Sequence, residues 1–146
     1  VHAFAFRVRY AETDAMGWAY YAHYLRWFEI GRAEMLRALG RSYRSVEEDL
    51  GVLLPVRDAR CRYLEGARYD DALVVETGVA ARTRATVRFA YRVRREAGPE
   101  ALAIGTTLHF FMDRSGRPRR PPAELEALLT LAPLAPPELI AALETP

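Results

Sequence analysis

The side chains able to do chemistry are few, and most lie near the start of the chain. Thr13-Asp14-Ala15-Met16-Gly17 places a carboxylate in a turn, and Tyr20-Tyr21-Ala22-His23-Tyr24 follows with an imidazole among aromatics. A carboxylate just before a helix has two readings. It can cap the helix or close the turn. Alternatively, it can act on a substrate whose developing negative charge meets the unpaired N–H groups and partial positive charge of the helix start. Glu12 could tune Asp14, although a solvated strand-end carboxylate is the plainer expectation for it. An unperturbed histidine titrates at about pH 6.5 and makes a ready general base. His23, however, is two residues from Tyr21 and faces about 200° away from it on a helix, so a structural or rim position is expected. Cys61 stands alone in an alternating run and reads as a small core residue. His109, in a late apolar run, is expected to be a satisfied sheet or interface histidine. Neither metal-ligand spacing, nor a phosphate-cradling glycine loop, nor a Gly-x-Ser-x-Gly elbow occurs, which removes metallohydrolase and serine-hydrolase chemistry.

The elements that must position these residues follow from periodicity. Ala3 to Glu12 alternates Phe4, Phe6, Val8 and Tyr10 against smaller or charged residues, which predicts a half-buried strand. Gly17 supplies a turn. From about Tyr20 the spacing of Tyr21, Tyr24, Leu25, Phe28, Met35 and Leu39 approaches 3.6 residues, predicting an amphipathic helix of about five turns that stops at Gly40. Gly31 in its middle weakens helix propensity by roughly 1 kcal/mol relative to Ala, which a close approach to a sheet would explain. Glu29 and Arg32 are spaced to pair on the helix surface. Ser45 is placed to cap a short helix over Val46 to Leu50, with Glu48 completing a capping box and Gly51 ending it. Four strand-like runs follow: Val52 to Gly66, Leu73 to Arg82, Thr86 to Arg95 and Ala101 to Asp113. In the third of these, Arg88, Arg92 and Arg94 predict one exposed sheet face. Short helices are expected at Ala123 to Leu129 and Pro137 to Leu143. One strand, one long helix and four strands make an α+β chain: a five-stranded antiparallel sheet wrapped around a central helix. Such a single-layer sheet leaves a face or edge open, so dimerisation is expected.

Composition narrows the partners. The 146 residues suit one domain, with 51% hydrophobic and 27% charged residues and sixteen aromatics. Net charge is only +2 and the basic residues, all arginine, are spread along the chain. That speaks against nucleic acid, which calls for charge gathered on one face. No apolar run is long enough for a membrane helix. A single cysteine leaves no internal disulfide, and a cytoplasmic location is the default expectation.

The segment Tyr10 to Gly17, continuing through Tyr20 to Glu29, resembles the 4-hydroxybenzoyl-CoA thioesterase and YbgC-like family of hotdog-fold enzymes. The resemblance runs on through Cys61-Arg62-Tyr63, Ala67-Arg68-Tyr69-Asp70-Asp71 and His109-Phe110-Phe111-Met112-Asp113 with Gly116. It covers about residues 4 to 125, leaving a Pro- and Ala-rich extension over 126–146. It implies an acyl-CoA thioesterase in which Asp14 is general base or nucleophile and the Tyr21 backbone N–H polarises the thioester carbonyl. It implies no cofactor and no metal, and an acyl-CoA substrate bound near Gly17, Tyr20, His23 and Tyr24. It also implies a homodimer that completes the acyl pocket, with pairing of dimers into a homotetramer. The chain departs from the family at His23, where many relatives have Asn, and at Arg84-Ala85-Thr86, where Thr86 replaces a Ser near the coenzyme. Arg82 and Arg84 are the candidate phosphate contacts there. The Tyr21, Tyr24 and Phe28 side chains are expected to pack rather than react. The rivals are a hotdog hydroxyacyl-thioester dehydratase, which needs a His with an acidic partner, and a non-catalytic acyl-CoA-binding module.

Overall fold

A computed structural model describes residues 1–146. Strand β1 (His2–Arg7) leads through a 3-10 turn (Tyr10–Glu12) to helix α1 (His23–Ala38) and the shorter α2 (Tyr43–Leu50). Strands β2 (Val56–Tyr63), β3 (Ala72–Arg82), β4 (Thr86–Arg95) and β5 (Ala101–Phe110) follow, then α3 (Ala123–Leu131) and α4 (Pro137–Glu144). The strands form one antiparallel sheet in the order β1-β3-β4-β5-β2, so β1 and β2 are its edges.

Helix α1 lies against the inner sheet face. Trp27 and Phe28 are fully buried, and Phe28 stacks on Tyr91 of β4 with ring centroids 4.5 Å apart. Each such aromatic stabilises by roughly 1.5–3 kcal/mol through removal from water. Gly31 is where the helix backbone comes closest: a Cβ there would overlap Thr77 Oγ1 and lie 3.0 Å from Val75 Cγ2. The close approach inferred from the sequence is therefore present. Gly105 of β5 makes the matching concession, since the Phe28 ring occupies the space a side chain would need.

Several expected boundaries move. β1 ends at Arg7 because the chain turns onto the 70–71 loop, with Val8 N donating to Asp71 O and Asp70 N to Val8 O. Helix α2 begins three residues before Val46: Ser42, not Ser45, is the cap, its Oγ accepting from Ser45 N at 3.1 Å. Glu48 faces Arg44 rather than closing a capping box. β2 starts only at Val56, after Pro55, and its register against β5 shifts between Val56 and Asp58. The Glu29–Arg32 pair does not form; Arg32 instead faces the hydroxyls of Tyr43 and Tyr91. Nor is the arginine face of β4 simply exposed. Arg92 and Arg94 converge on the buried Glu76 of β3, whose carboxyl, despite a burial that would raise it, is held below its ordinary range by these two guanidiniums.

The C-terminal segment covers part of the outer sheet face. Val79 N donates to Pro133 O and Ala135 N to Val79 O, a parallel extension of the β3 edge beyond the end of β1. Leu139, Ile140 and Leu143 of α4 then pack with Ala90 and Ile104. Arg62 of β2 donates to the carbonyls of Ala142 and Thr145, a cation at the helix C-terminus where its dipole favours one. No helix is long and apolar enough to cross a membrane.

Candidate active site

The residues between β1 and α1 are held by backbone bonds rather than by a regular element. Thr13 and Ala19 pair as an antiparallel bridge, and Asp14 N donates to Trp18 O at 2.8 Å. Gly17 closes the turn at φ 83, a conformation that a side chain disfavours. Asp14 serves this turn directly, its Oδ1 accepting from Met16 N at 2.9 Å and Trp18 N at 3.3 Å. The turn reading of Asp14 is therefore correct as far as it goes. Its Oδ2 has no hydrogen bond within the chain, leaving one carboxylate oxygen free on a half-buried residue.

The 66–71 loop supports this turn from below. Ala19 N donates to Ala67 O at 2.8 Å, Trp18 bridges to Arg68, and the Arg68 guanidinium lies 3.7 Å over the Trp18 ring. Asp71 Oδ2 accepts from Arg68 N, and Arg95 of β4 donates to Gly66 O. The Ala67-Arg68-Tyr69-Asp70-Asp71 run is thus the platform on which the Asp14 turn sits.

Glu12 is not the solvated carboxylate that its position suggested. It is 6% exposed, and it accepts from the Trp27 indole N–H and from Arg9 N, each at 2.8 Å. Burial alone would raise its pKa. The two hydrogen bonds and the nearby Arg9 charge outweigh that and hold the carboxyl below its ordinary range. Glu12 O also accepts from Tyr20 N at 2.8 Å. One residue therefore ties the end of the 3-10 turn, the lead into α1 and the helix itself.

Beyond that tie the helix starts with free donors. Tyr20 O and Tyr21 O accept from His23 N and Tyr24 N, but the N–H groups of Tyr21 and Ala22 have no acceptor in the chain. The Tyr21 side chain is 60% exposed rather than packed in the core, whereas Tyr24 and Phe28 are buried. Tyr24 contacts Trp27 and Tyr63, so it shapes the floor of the site rather than its mouth. His23 is half-buried beside Tyr20, with an Nδ1 that finds no partner. Around the turn, Met16, Trp18, Tyr20, Tyr21, Tyr63 and Leu64 form an exposed apolar rim.

Asp14, Gly17, Tyr20, Tyr21, His23 and Tyr24 therefore come together, but Arg82, Arg84 and Thr86 do not join them in one chain. They lie at the far end of β3, whose eleven residues span roughly 30–35 Å. Arg82 is engaged with Glu126 and Thr130 of α3. Arg84 is exposed and makes no ion pair or hydrogen bond. Thr86 lines a cleft of about 360 Å³ with Arg57, Ala85, Phe110 and Arg119. A larger cavity of about 530 Å³ lies on the outer face under α4, away from Asp14. Cys61 is half-buried, and burial pushes its thiol up to about 11, which leaves it a poor nucleophile. His109 is fully buried and satisfied, as its position implied.

A family profile described as the thioesterase-like superfamily matches residues 8–143, and so takes in most of the C-terminal extension as well. The chain belongs to that superfamily. The acyl-CoA thioesterase YbgC of Haemophilus influenzae is 38% identical over 93 residues, 64% of this chain and 68% of the relative. The 1,4-dihydroxy-2-naphthoyl-CoA hydrolase of Thermosynechococcus vestitus is 30% identical over 127 residues, 86% of each chain. A solved Thermus thermophilus structure superposes with a TM-score of 0.84 at 31% identity, covering 90% of this chain and 98% of the other. With this membership, the sheet wrapped around α1 is the hotdog fold and the reaction class is thioester hydrolysis.

Proposed function

We propose that this chain hydrolyses an acyl-CoA thioester to a carboxylic acid and coenzyme A, with Asp14 as general base or nucleophile. The observation that carries the reading is that the one segment from Asp14 to Ala22 presents both a free carboxylate oxygen and the unbonded N–H groups of Tyr21 and Ala22. Those amides suit a carbonyl oxygen that gains negative charge, since a helix start also contributes its dipole. Water attacks the carbonyl carbon while Asp14 takes its proton, or Asp14 attacks and water later cleaves the anhydride. In either case the C–S bond breaks and coenzyme A leaves as the thiol. The substrate class follows from the relatives named for acyl-CoA hydrolysis.

The same reading takes residues 1–146 as one catalytic domain acting in the cytoplasm, where a lone thiol needs no disulfide partner. It takes the working unit as a homodimer. β2 is an edge strand, with Val56 and Tyr63 exposed at its two ends. Antiparallel pairing of two such edges about a two-fold axis would set the Arg84–Thr86 end of one copy beside the Asp14 end of the other. Dimers would pair further into a tetramer through surfaces that α4 leaves open.

Free-thiol release over a panel of aromatic and aliphatic acyl-CoAs, wild type beside Asp14→Asn, tests the proposal. Asn keeps an Oδ1 for the Met16 and Trp18 amides, so the turn survives and only the free, charged oxygen is lost. A fall in kcat of about 10²-fold or more is expected. Unimpaired turnover by Asp14→Asn would remove the reading's centre.

A further inference from the structure

Resting on the thioester-hydrolysis reading above, we infer that Tyr63 is a positioning residue that clamps the Tyr21–Ala22 peptide, whose Ala22 N–H is one of the two proposed to meet the thioester oxygen. Tyr63 closes β2 and lies 42 residues from Tyr21 in sequence. Its hydroxyl donates to Tyr21 O at 2.8 Å. That carbonyl belongs to the peptide whose other end is the unbonded N–H of Ala22. A peptide is planar, so fixing its oxygen fixes the direction of its N–H. A hydrogen bond accepted at the oxygen also polarises the same unit and strengthens its donor.

The clamp inherits its precision from the sheet. Tyr63 pairs with Ala103 of β5, and the next residue continues the register, Leu64 N donating to Leu102 O. The ring is steadied edge-on against Tyr24 at 5.1 Å and against Tyr21 at 6.2 Å. Tyr24 is itself buried against Trp27. The only other donor to Tyr21 O is Tyr24 N at 3.3 Å, a long bond of the first helical turn. Without the phenol, the Tyr21–Ala22 peptide keeps only that long bond and the ties made by its neighbours Tyr20 and His23. Burial of the residue as a whole does not account for the bond, since Tyr63 is 45% exposed. What the bond does is direct an amide.

Tyr63→Phe keeps the ring and its aromatic contacts and removes the hydroxyl, together with the contact the Cys61 thiol makes to it. Amides acting on the oxyanion stabilise the transition state more than bound substrate, so the loss falls on kcat. A fall in kcat of roughly 5- to 50-fold is expected, below the roughly 10²–10³-fold of a donor removed outright, with KM within about twofold. The Ala22 amide ¹⁵N resonance should move in the same variant, because its peptide carbonyl has lost an acceptor bond. An unchanged kcat, a loss confined to KM, or an unmoved Ala22 resonance overturns the assignment. Absence of turnover in the wild type on every acyl-CoA tested would instead overturn the thioester-hydrolysis reading. The Ala22 resonance would still report whether Tyr63 holds that peptide.

Discussion

The buried histidine of β5 makes a prediction that can be worked through from geometry. His109 Nδ1 lies 2.9 Å from Leu54 O, which can only accept, so Nδ1 carries the hydrogen. Nε2 must then accept from Thr107 Oγ1 at 2.8 Å, and Thr107 in turn accepts from the Tyr91 hydroxyl at 2.6 Å. A second ring proton would reverse that relay in a fully buried site. Burial first, and the Arg32 charge as well, push the imidazole down to about 4, against the opposing bond to Leu54 O. In the unfolded chain the same ring titrates at about 6.5. The folded pKa is therefore depressed. Its contribution to stability is complete above about pH 6.5, shrinks as pH falls, and is gone below about pH 4. At about 1.36 kcal/mol per pH unit, this interval amounts to something on the order of 3 kcal/mol. Urea unfolding of wild type and His109→Gln, at one fixed protein concentration between pH 4 and 8, isolates it from the carboxylates that titrate nearby. The stability difference between the two proteins should change by about that amount, wild type losing ground as pH falls. The chain has three histidines, so the imidazole resonances are easily assigned by the same variant. A stability difference flat in pH, or a His109 resonance that titrates near 6.5, would refute the argument.

Glu12→Gln should lower the melting temperature by several degrees. An amide offers one acceptor oxygen where the carboxylate serves both the Trp27 indole and Arg9 N, and an unsatisfied buried donor costs about 1–3 kcal/mol. Because the Glu12 carboxyl is held low, its stabilisation is present above the ordinary carboxylate range and fades as pH falls through its folded value. Calorimetry should show the two proteins converging in acid, and equal melting at pH 7 would count against the buried clamp. Gly31→Ala should destabilise despite better helix propensity. Overlap with Thr77 and Val75 costs about 1–3 kcal/mol against a gain of about 1 kcal/mol, and a rise in urea midpoint would mean the helix sits farther from the sheet.

What could be read from the sequence was what repeats locally. β4 alternates over its whole length because one face meets α1 and the other the partly covered outer surface, and its limits match those expected. The end of α1 near Gly40 and the need for space at Gly31 were legible for the same reason, but the helix starts at His23 rather than near Tyr20, because the residues just before it form turns. The cap of α2 was not, because Ser42 and Ser45 are both suitable residues and only the path of the preceding loop decides between them. The Asp14 turn is local and announced itself through Gly17. The charge state and burial of Glu12 depend on Trp27, fifteen residues away on a helix that had to be docked first. Arg82 carried a plausible phosphate-binding pattern, yet α3 supplies Glu126 and Thr130 to it, a partnership that only the fold of the C-terminal segment creates.

The distribution of the candidate residues explains why a single chain looks incomplete. The amides and carboxylate that would act on a thioester sit where α1 begins, while the free Arg84 and the cleft holding Thr86 sit a full strand length away. An acyl-CoA has its reacting carbon and its phosphates at opposite ends, but two sites on the same chain would have to be bridged across the sheet. Two copies joined antiparallel along β2 shorten that path, because each end of one chain then neighbours the opposite end of the other. β2 also ends in Tyr63, whose hydroxyl reaches the helix start. The strand proposed for the subunit contact is then also the strand proposed to orient the amide, so a β2 substitution that weakens such a dimer should lower kcat first.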